Sequence, residues 1–185
     1  PIISQFKLSY NTVLNLVNNY DKDTIEVILK SNFDYYLRKK QNKSIRIMAS
    51  FKNAVKRLRK MGYIDPQDKI TEKGEFARYI YQFEILITEV FYSDLVKELT
   101  ESEIVVLIAS IVYEPRKNNL FYKRKDPAYK NAYRNIINTI SENQFVNDAI
   151  DKRVLRKILP LVYSWANGAE FVDVMAMTNL REGDV

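Results

Sequence analysis

The chain has no cysteine and no histidine. Their absence removes zinc fingers, disulfides, thiol and Ser-His-Asp catalysis, and imidazole acid/base chemistry. An enzyme built on this sequence would have to use carboxylates or lysines. Glycine occurs four times and proline five times in 185 residues, too seldom for a many-stranded sandwich or barrel, whose turns recur about every ten positions. No apolar run is long enough to span a bilayer and no leader with an apolar segment precedes the first helical pattern. The expectation is therefore a soluble, intracellular, cytoplasmic protein with no membrane partner. Neither G-x-x-x-x-G-K-S/T nor G-x-G-x-x-G is present, so nothing here cradles a nucleotide phosphate. No catalytic centre, metal site, cofactor or small-molecule ligand is expected in this chain.

What the sequence does have is a 46% apolar content and a net charge of +6. The first suffices for one large or two small domains, each with its own core. The second favours a polyanionic partner without identifying it. Helical spacing predicts a helix over about 10 to 19 capped by Ser9, then a second one opened by Asp23 or Thr24 and carrying Ile25, Ile28, Leu29, Phe33, Tyr36 and Leu37. Ser44 opens a third, with Ile45, Met48, Phe51, Val55 and Leu58 on one face, ending near Met61 and Gly62. Tyr63 and Ile64, the turn signal "DPQD" and the return "KIT" then predict a two-stranded ribbon, and Thr71 starts a closing helix containing Phe76, Ala77, Ile80 and Tyr81. That order is the order of a winged helix.

From Phe83 onward the pattern is helical only. Phe83, Leu86, Ile87, Val90, Phe91 and Leu95 make one stripe, and Thr100 with Glu103 forms a capping box ahead of "IVVLIASIVY", a helix apolar on nearly every side. Helices over about 127 to 141, 152 to 166 and 170 to 177 follow a basic loop, the second of them ended by Asn167-Gly168. The predicted fold is mainly α: a winged-helix domain with a small two-stranded β wing over 1–82, followed by an α-helical bundle over 83–185.

Two features suit a polyanion. The third helix gathers Arg46, Lys52, Lys56, Arg57 and Lys60 away from its apolar stripe, a face that either solvates the helix or meets phosphates. The loop from Glu114 to Pro127 interleaves Phe121 and Tyr122 with Arg116, Lys117, Lys123, Arg124 and Lys125. Its aromatics either stack on unpaired bases or tuck onto the bundle and leave the cations to water. Acid pairs such as Glu101 with Glu103 and Glu182 with Asp184 stand at helix starts, where the dipole favours them as caps.

Four stretches, in order, resemble the C-terminal region of superkiller-type, superfamily two DEAD/DEAH-box RNA helicases, which ends in a DSHCT domain. They are "SQFKLSYNTVLNLV" at 4 to 17, "ITEKGEFARYI" at 70 to 80, "ILITEVFYSDLVKELTESEIVVLIASIVYE" at 85 to 114 and "LVYSWANGAEFVDVMAMTNLREGDV" at 161 to 185. The resemblance implies a non-catalytic fragment of an ATP-dependent 3′-to-5′ RNA helicase. Its partners would be single-stranded RNA, or DNA, and RecA-like motor domains of the same protein, which would precede Pro1 and hold ATP and magnesium. It implies that the winged helix braces those motors and that the bundle surrounds the exiting strand. Glu114 matches a family glutamate facing the nucleic-acid path, with Arg116 beside it. Lys52, Lys56 and Lys60 complete the candidate nucleic-acid-binding set. Trp165, Gly168, Phe171 and Thr178 are read as packing, turn and cap residues. The family's arch insertion has only "YYLRKKQNKSIRIM" in its place, and the ratchet helix would begin at "REGDV".

Other readings fit parts of the chain. A winged-helix transcription regulator with a helical dimerisation or effector domain explains the first 80 residues but not "SWANGAEFVDVMAMT". A DNA-repair helicase of similar build and a pure scaffold without nucleic acid also remain open at this stage.

Overall fold

The computed structural model describes residues 8–41, 46–122 and 125–184, and it is helical with almost no β structure among them. The chain divides into two compact units, Pro1–Thr88 and Glu89–Val185.

In the first unit, α1 (Tyr10–Asn19) begins where the Ser9 hydroxyl accepts the Thr12 amide. Val13, Leu14 and Leu16 point from it into a core shared with Ile25, Leu29, Phe51, Leu58, Tyr63, Ile64, Ala77 and Ile85. The single second helix read from the sequence is in fact two, α2 (Lys22–Lys30) and α3 (Phe33–Lys40). Asp21, not Asp23 or Thr24, caps α2 by accepting the Thr24 amide at 2.8 Å. Asn32 splits the run: its backbone is extended, its side-chain oxygen accepts the Tyr35 amide and its NH2 group donates to the Leu29 carbonyl. A side chain that satisfies both the end of one helix and the start of the next outweighs continuing periodicity. The expected cap of the next helix, Ser44, lies outside the described residues, as do Ile45 and Phe6; the described helix, α4, runs Ile47–Lys60.

The expected two-stranded wing is not there. Between α4 and α5 (Glu72–Arg78) only one antiparallel bridge pair forms, Ile64 with Ile70. The reason is local. The Asp65 carboxylate accepts the amides of both Gln67 and Lys69, which closes the turn tightly. Thr71 already caps α5 by accepting the Gly74 amide, so only Lys69 to Thr71 are left to return. Gly74 itself sits where a Cβ would come 2.2 Å from the Tyr63 carbonyl oxygen and 2.8 Å from Ile70. No larger residue lets α5 close over the turn. α5 stops at Arg78, leaving Tyr81 88% exposed outside it.

Asn11 ties α1 to the chain beyond α5. Its side-chain NH2 donates to the Arg78 and Ile80 carbonyls, while its backbone N–H donates to the buried Glu84 carboxylate at 2.9 Å. α6 (Glu84–Phe91) follows Phe83, which adopts a positive φ of 54°. The single stripe read from Phe83 to Leu95 is therefore interrupted, because Leu95 belongs to the separate short α7 (Leu95–Glu98).

In the second unit, α8 (Glu101–Val112) has the capping box predicted for it: Thr100 accepts the Glu103 amide and the Glu103 carboxylate accepts the Thr100 amide. Glu103 is buried because it also accepts the side-chain NH2 of Asn135 on α9 (Pro127–Ser141) at 2.9 Å. α8 packs along α11 (Lys152–Ala166), with Val106, Leu107 and Ile111 buried on the first and Leu155, Ile158 and Leu159 on the second. Each such side chain contributes about 1.5–3 kcal/mol of burial. Both helix spans match the spacing in the sequence. A helix not read there, α10 (Gln144–Ala149), starts where Asn143 accepts the Val146 amide. α11 ends at Asn167, and Gly168 takes the left-handed conformation (φ 84°) that follows such an end. α12 (Phe171–Met175) and a final 3-10 turn, Glu182–Asp184, complete the chain.

Candidate nucleic-acid interface

On α4, positions separated by four residues stack along one face. Lys52, Lys56 and Lys60 accordingly form an exposed row; among the described residues none of them makes a salt bridge, although the Lys52 charge is felt by the Glu26 carboxylate. The neighbouring cations of the same helix are otherwise engaged. Arg57 reaches the Tyr10 hydroxyl at 3.4 Å. Arg59 pairs with Asp68, which also binds Lys22 at 3.0 Å. These hydrogen bonds, first that from Lys22 and then that from Arg59, hold the Asp68 carboxyl below the usual carboxylate range. Asp68 sits in the turn with a positive φ of 64°, so the pairing pins the abbreviated wing back against α2 and α4.

Glu114 and Arg116 lie together in the second unit, exposed in the segment that leaves α8. The lysine row belongs to the first unit and Glu114 and Arg116 to the second. The segment after Arg116 is not a free loop. The Tyr122 amide donates to the Met177 carbonyl at 2.8 Å, the Leu120 amide to the Asn179 side chain at 2.7 Å, and the Asn179 NH2 to the Asn118 carbonyl at 2.9 Å. The Thr178 hydroxyl donates to the Leu120 carbonyl and accepts the Leu180 amide. The stretch "MTN" thus latches the basic loop, and Thr178, read from sequence as a helix cap, serves two strands of chain instead.

The two aromatics of that loop part company. Phe121 packs on Leu161, Val174 and Met177 and meets Tyr113 edge-on at 5.8 Å. Tyr122 remains half-exposed and Lys125 is exposed, while Lys123 and Arg124 lie outside the described residues. The reading of Trp165 and Phe171 as packing residues is corrected in part: they contact each other at 6.3 Å, yet are 45% and 42% exposed.

Sequence reading overlooked three further cations. Arg153, Arg156 and Lys157 on α11 stand opposite Leu155, Ile158 and Leu159, and all three are exposed. The signal was available as basic residues out of phase with the apolar stripe of that helix, the same criterion that picked out α4. Among the described residues no group of three His, Cys, Asp or Glu side chains is placed to hold a metal ion. No described helix is long and apolar enough to cross a membrane.

Residues 67–185 match the family model of the DSHCT (NUC185) domain. The chain is similar to the ATP-dependent RNA helicase mtr4 of Schizosaccharomyces pombe, 26% identical over an alignment of 165 residues that covers 80% of this chain and 14% of that protein. It is also similar to the DExH-box ATP-dependent RNA helicase DExH10 of Arabidopsis thaliana, at 23% over 143 residues, 72% of this chain and 14% of that one. The exosome RNA helicase MTR4 of Mus musculus is 25% identical over 138 residues, 69% and 13% of the two chains. This chain therefore spans about a seventh of the length of these relatives.

Proposed function

Given that the chain belongs to the DSHCT family, we propose that it serves as a non-catalytic part of an ATP-dependent 3′-to-5′ RNA helicase. In this reading the bundle contacts single-stranded RNA, and the first unit braces RecA-like motor domains that bind ATP and magnesium. The first unit is then a winged helix whose wing has shrunk to the Ile64–Ile70 bridge. The single observation that carries the proposal is the DSHCT match together with relatives that are by name RNA helicases. The exposed row of Lys52, Lys56 and Lys60 and the latched basic segment beginning at Glu114 and Arg116 supply surfaces of the right charge.

The transcription-regulator reading fares worse on the geometry. A winged-helix duplex reader projects its wing beside the recognition helix. Here Asp68 folds the turn back and consumes Arg59 of that helix.

The test is the triple variant Lys52→Glu, Lys56→Glu, Lys60→Glu in the intact protein. RNA-stimulated ATP hydrolysis is expected to fall at least tenfold, and RNA affinity to lose part of its salt dependence, which for single strands amounts to about 0.7 in log–log slope per phosphate contact. Unchanged ATPase and unchanged slope would leave this face as inert solvated surface. If the wild-type protein itself ignored single-stranded RNA at low salt, the RNA part of the proposal would fail.

A further inference from the structure

The segment after α8, helix α9 and the first turns of α11 enclose a cavity of about 590 Å³ within the second unit. That is the size of pockets that hold small molecules or single groups of a larger ligand, roughly 300–1,000 Å³. Its walls are unlike those of an ordinary crevice. Arg116 lines it from the loop, and Arg153, Arg156 and Lys157 line it from α11. One acid, Asp151, lies among them. Its carboxylate is already committed: it accepts the backbone amides of Arg153 at 2.8 Å and Val154 at 3.4 Å and lies 3.4 Å from the Arg153 guanidinium. The backbone bond from Arg153 is the main cause of its lowered pKa. Asp151 therefore seals the helix end, and any anion in the cavity has to be held by side chains.

The aromatic content gives the pocket a second chemistry. The Arg156 guanidinium lies over the Tyr133 ring, 4.8 Å from its centroid, with its Nη2 3.3 Å from the Tyr133 hydroxyl. Guanidinium and ring thus form a paired plane at one wall, and Tyr113 lines the cavity as well. Cations alone would suit any polyanion. Cations beside a planar platform suit a ligand that alternates negative charge with flat rings.

We propose that this cavity is a nucleotide subsite for single-stranded nucleic acid. One backbone phosphate is taken by Arg153 and Lys157, with Arg116 opposite, and a neighbouring base packs on the Tyr133–Arg156 plane. The inference rests on the strand-contacting role proposed above and adds to it the residues and the ligand unit. An acidic peptide would use the same cations but gain nothing from the platform, and this difference decides the experiment.

Binding of a fluorescent twelve-residue oligouridylate to the intact protein is followed by anisotropy between about 50 and 200 mM salt. The double variant Arg153→Gln, Lys157→Gln is expected to weaken binding about tenfold at the low end and to flatten the log–log salt slope by about 1.4, two contacts' worth. Arg156→Lys keeps the charge but loses the plane; it is expected to weaken binding severalfold with the slope unchanged. Lys39→Gln, Lys40→Gln on α3 removes the same charge from an exposed face of the other unit and is expected to change little. All of these side chains are exposed, so the variants should fold, which circular dichroism checks. If the pocket variants bind like wild type while wild type binds RNA, the subsite is wrong and the broader role stands. If wild type binds no RNA, both fall. If polyglutamate displaces the RNA at equal charge and Arg156→Lys is silent, the pocket takes acidic peptide and the proposal is overturned.

Discussion

The two compact units carry positive charge in opposite ways. In the first, Lys52, Lys56 and Lys60 form an exposed row on one continuous helix, and the other cations on that helix are drawn into internal contacts with Tyr10 and Asp68. In the second, cations from a loop and from α11 converge with Tyr113 and Tyr133 on one concavity, although they are some forty positions apart in sequence. A row on a straight helix presents charge to a broad surface, such as another domain or a run of phosphates. A concavity with a flat wall selects one ligand unit. The difference teaches that net charge alone would have treated the two as equivalent, whereas one spreads its charge along a helix face and the other gathers it around a concavity.

The sharpest way to break this comparison is to remove the first unit's fold while leaving the second intact. Gly74→Ala places a Cβ against the Tyr63 carbonyl, which is backbone and cannot step aside. It is expected to cost about 3 kcal/mol or more, read as an early transition of the first unit in a thermal or urea melt. Wild-type stability in that variant would show that α5 can shift away from the turn.

A smaller effect tests the latch of the second unit. Thr178→Val keeps the shape and removes the hydroxyl that the Leu120 carbonyl and the Leu180 amide use. About 1 kcal/mol should be lost, since the Leu180 amide loses its acceptor at a buried position while the Leu120 carbonyl keeps the Asn179 amide. Hydrogen exchange at the Tyr122 amide, bonded to Met177, should quicken more than exchange inside α8. Equal protection in both proteins would mean that the loop holds without the latch.

The smallest expected effect concerns the pinned wing. The folded-state pKa of Asp68 is lowered, chiefly by Lys22 and then by Arg59. Its contribution is therefore complete above the unfolded carboxylate value, about 4, and is lost as the pH falls through the lower folded value. For partly exposed pairs it is worth less than about 1 kcal/mol. Asp68→Asn tolerates the same positive φ, so wild type and variant should differ in urea midpoint at pH 6 and begin to converge below about pH 4, meeting once the pH has passed the lowered folded value. A difference that persists into acid would point to backbone and not charge.

Much of the bundle was legible in the sequence. The capping box of α8, the spans of α9 and α11 and the left-handed Gly168 depend on residues a few positions apart, and short-range hydrogen bonds and apolar spacing are written locally. Of the site, the row of Lys52, Lys56 and Lys60 was legible for the same reason, being one face of one helix. The misreadings have a common cause. Asn32 divides a helix by hydrogen bonds that outweigh a periodic pattern, and the wing stays at one bridge because the Asp65 carboxylate closes the turn on Gln67 and Lys69 and α5 begins directly after Thr71.

By itself the sequence determined a mainly helical chain, the ends of α1, α8, α9 and α11, its excess of positive charge and its likeness to the DSHCT family. Only the tertiary structure decided that Asn11 clasps the chain beyond α5, that Gly74 meets Tyr63, that "MTN" holds the basic loop, and that Arg116 and Arg156 line one cavity. The physical reason is range. Helix caps and periodicity act within a turn or two of chain, whereas a close approach, a latch or a pocket exists only once packing has brought distant segments together, and nothing in the local pattern records which ones will meet.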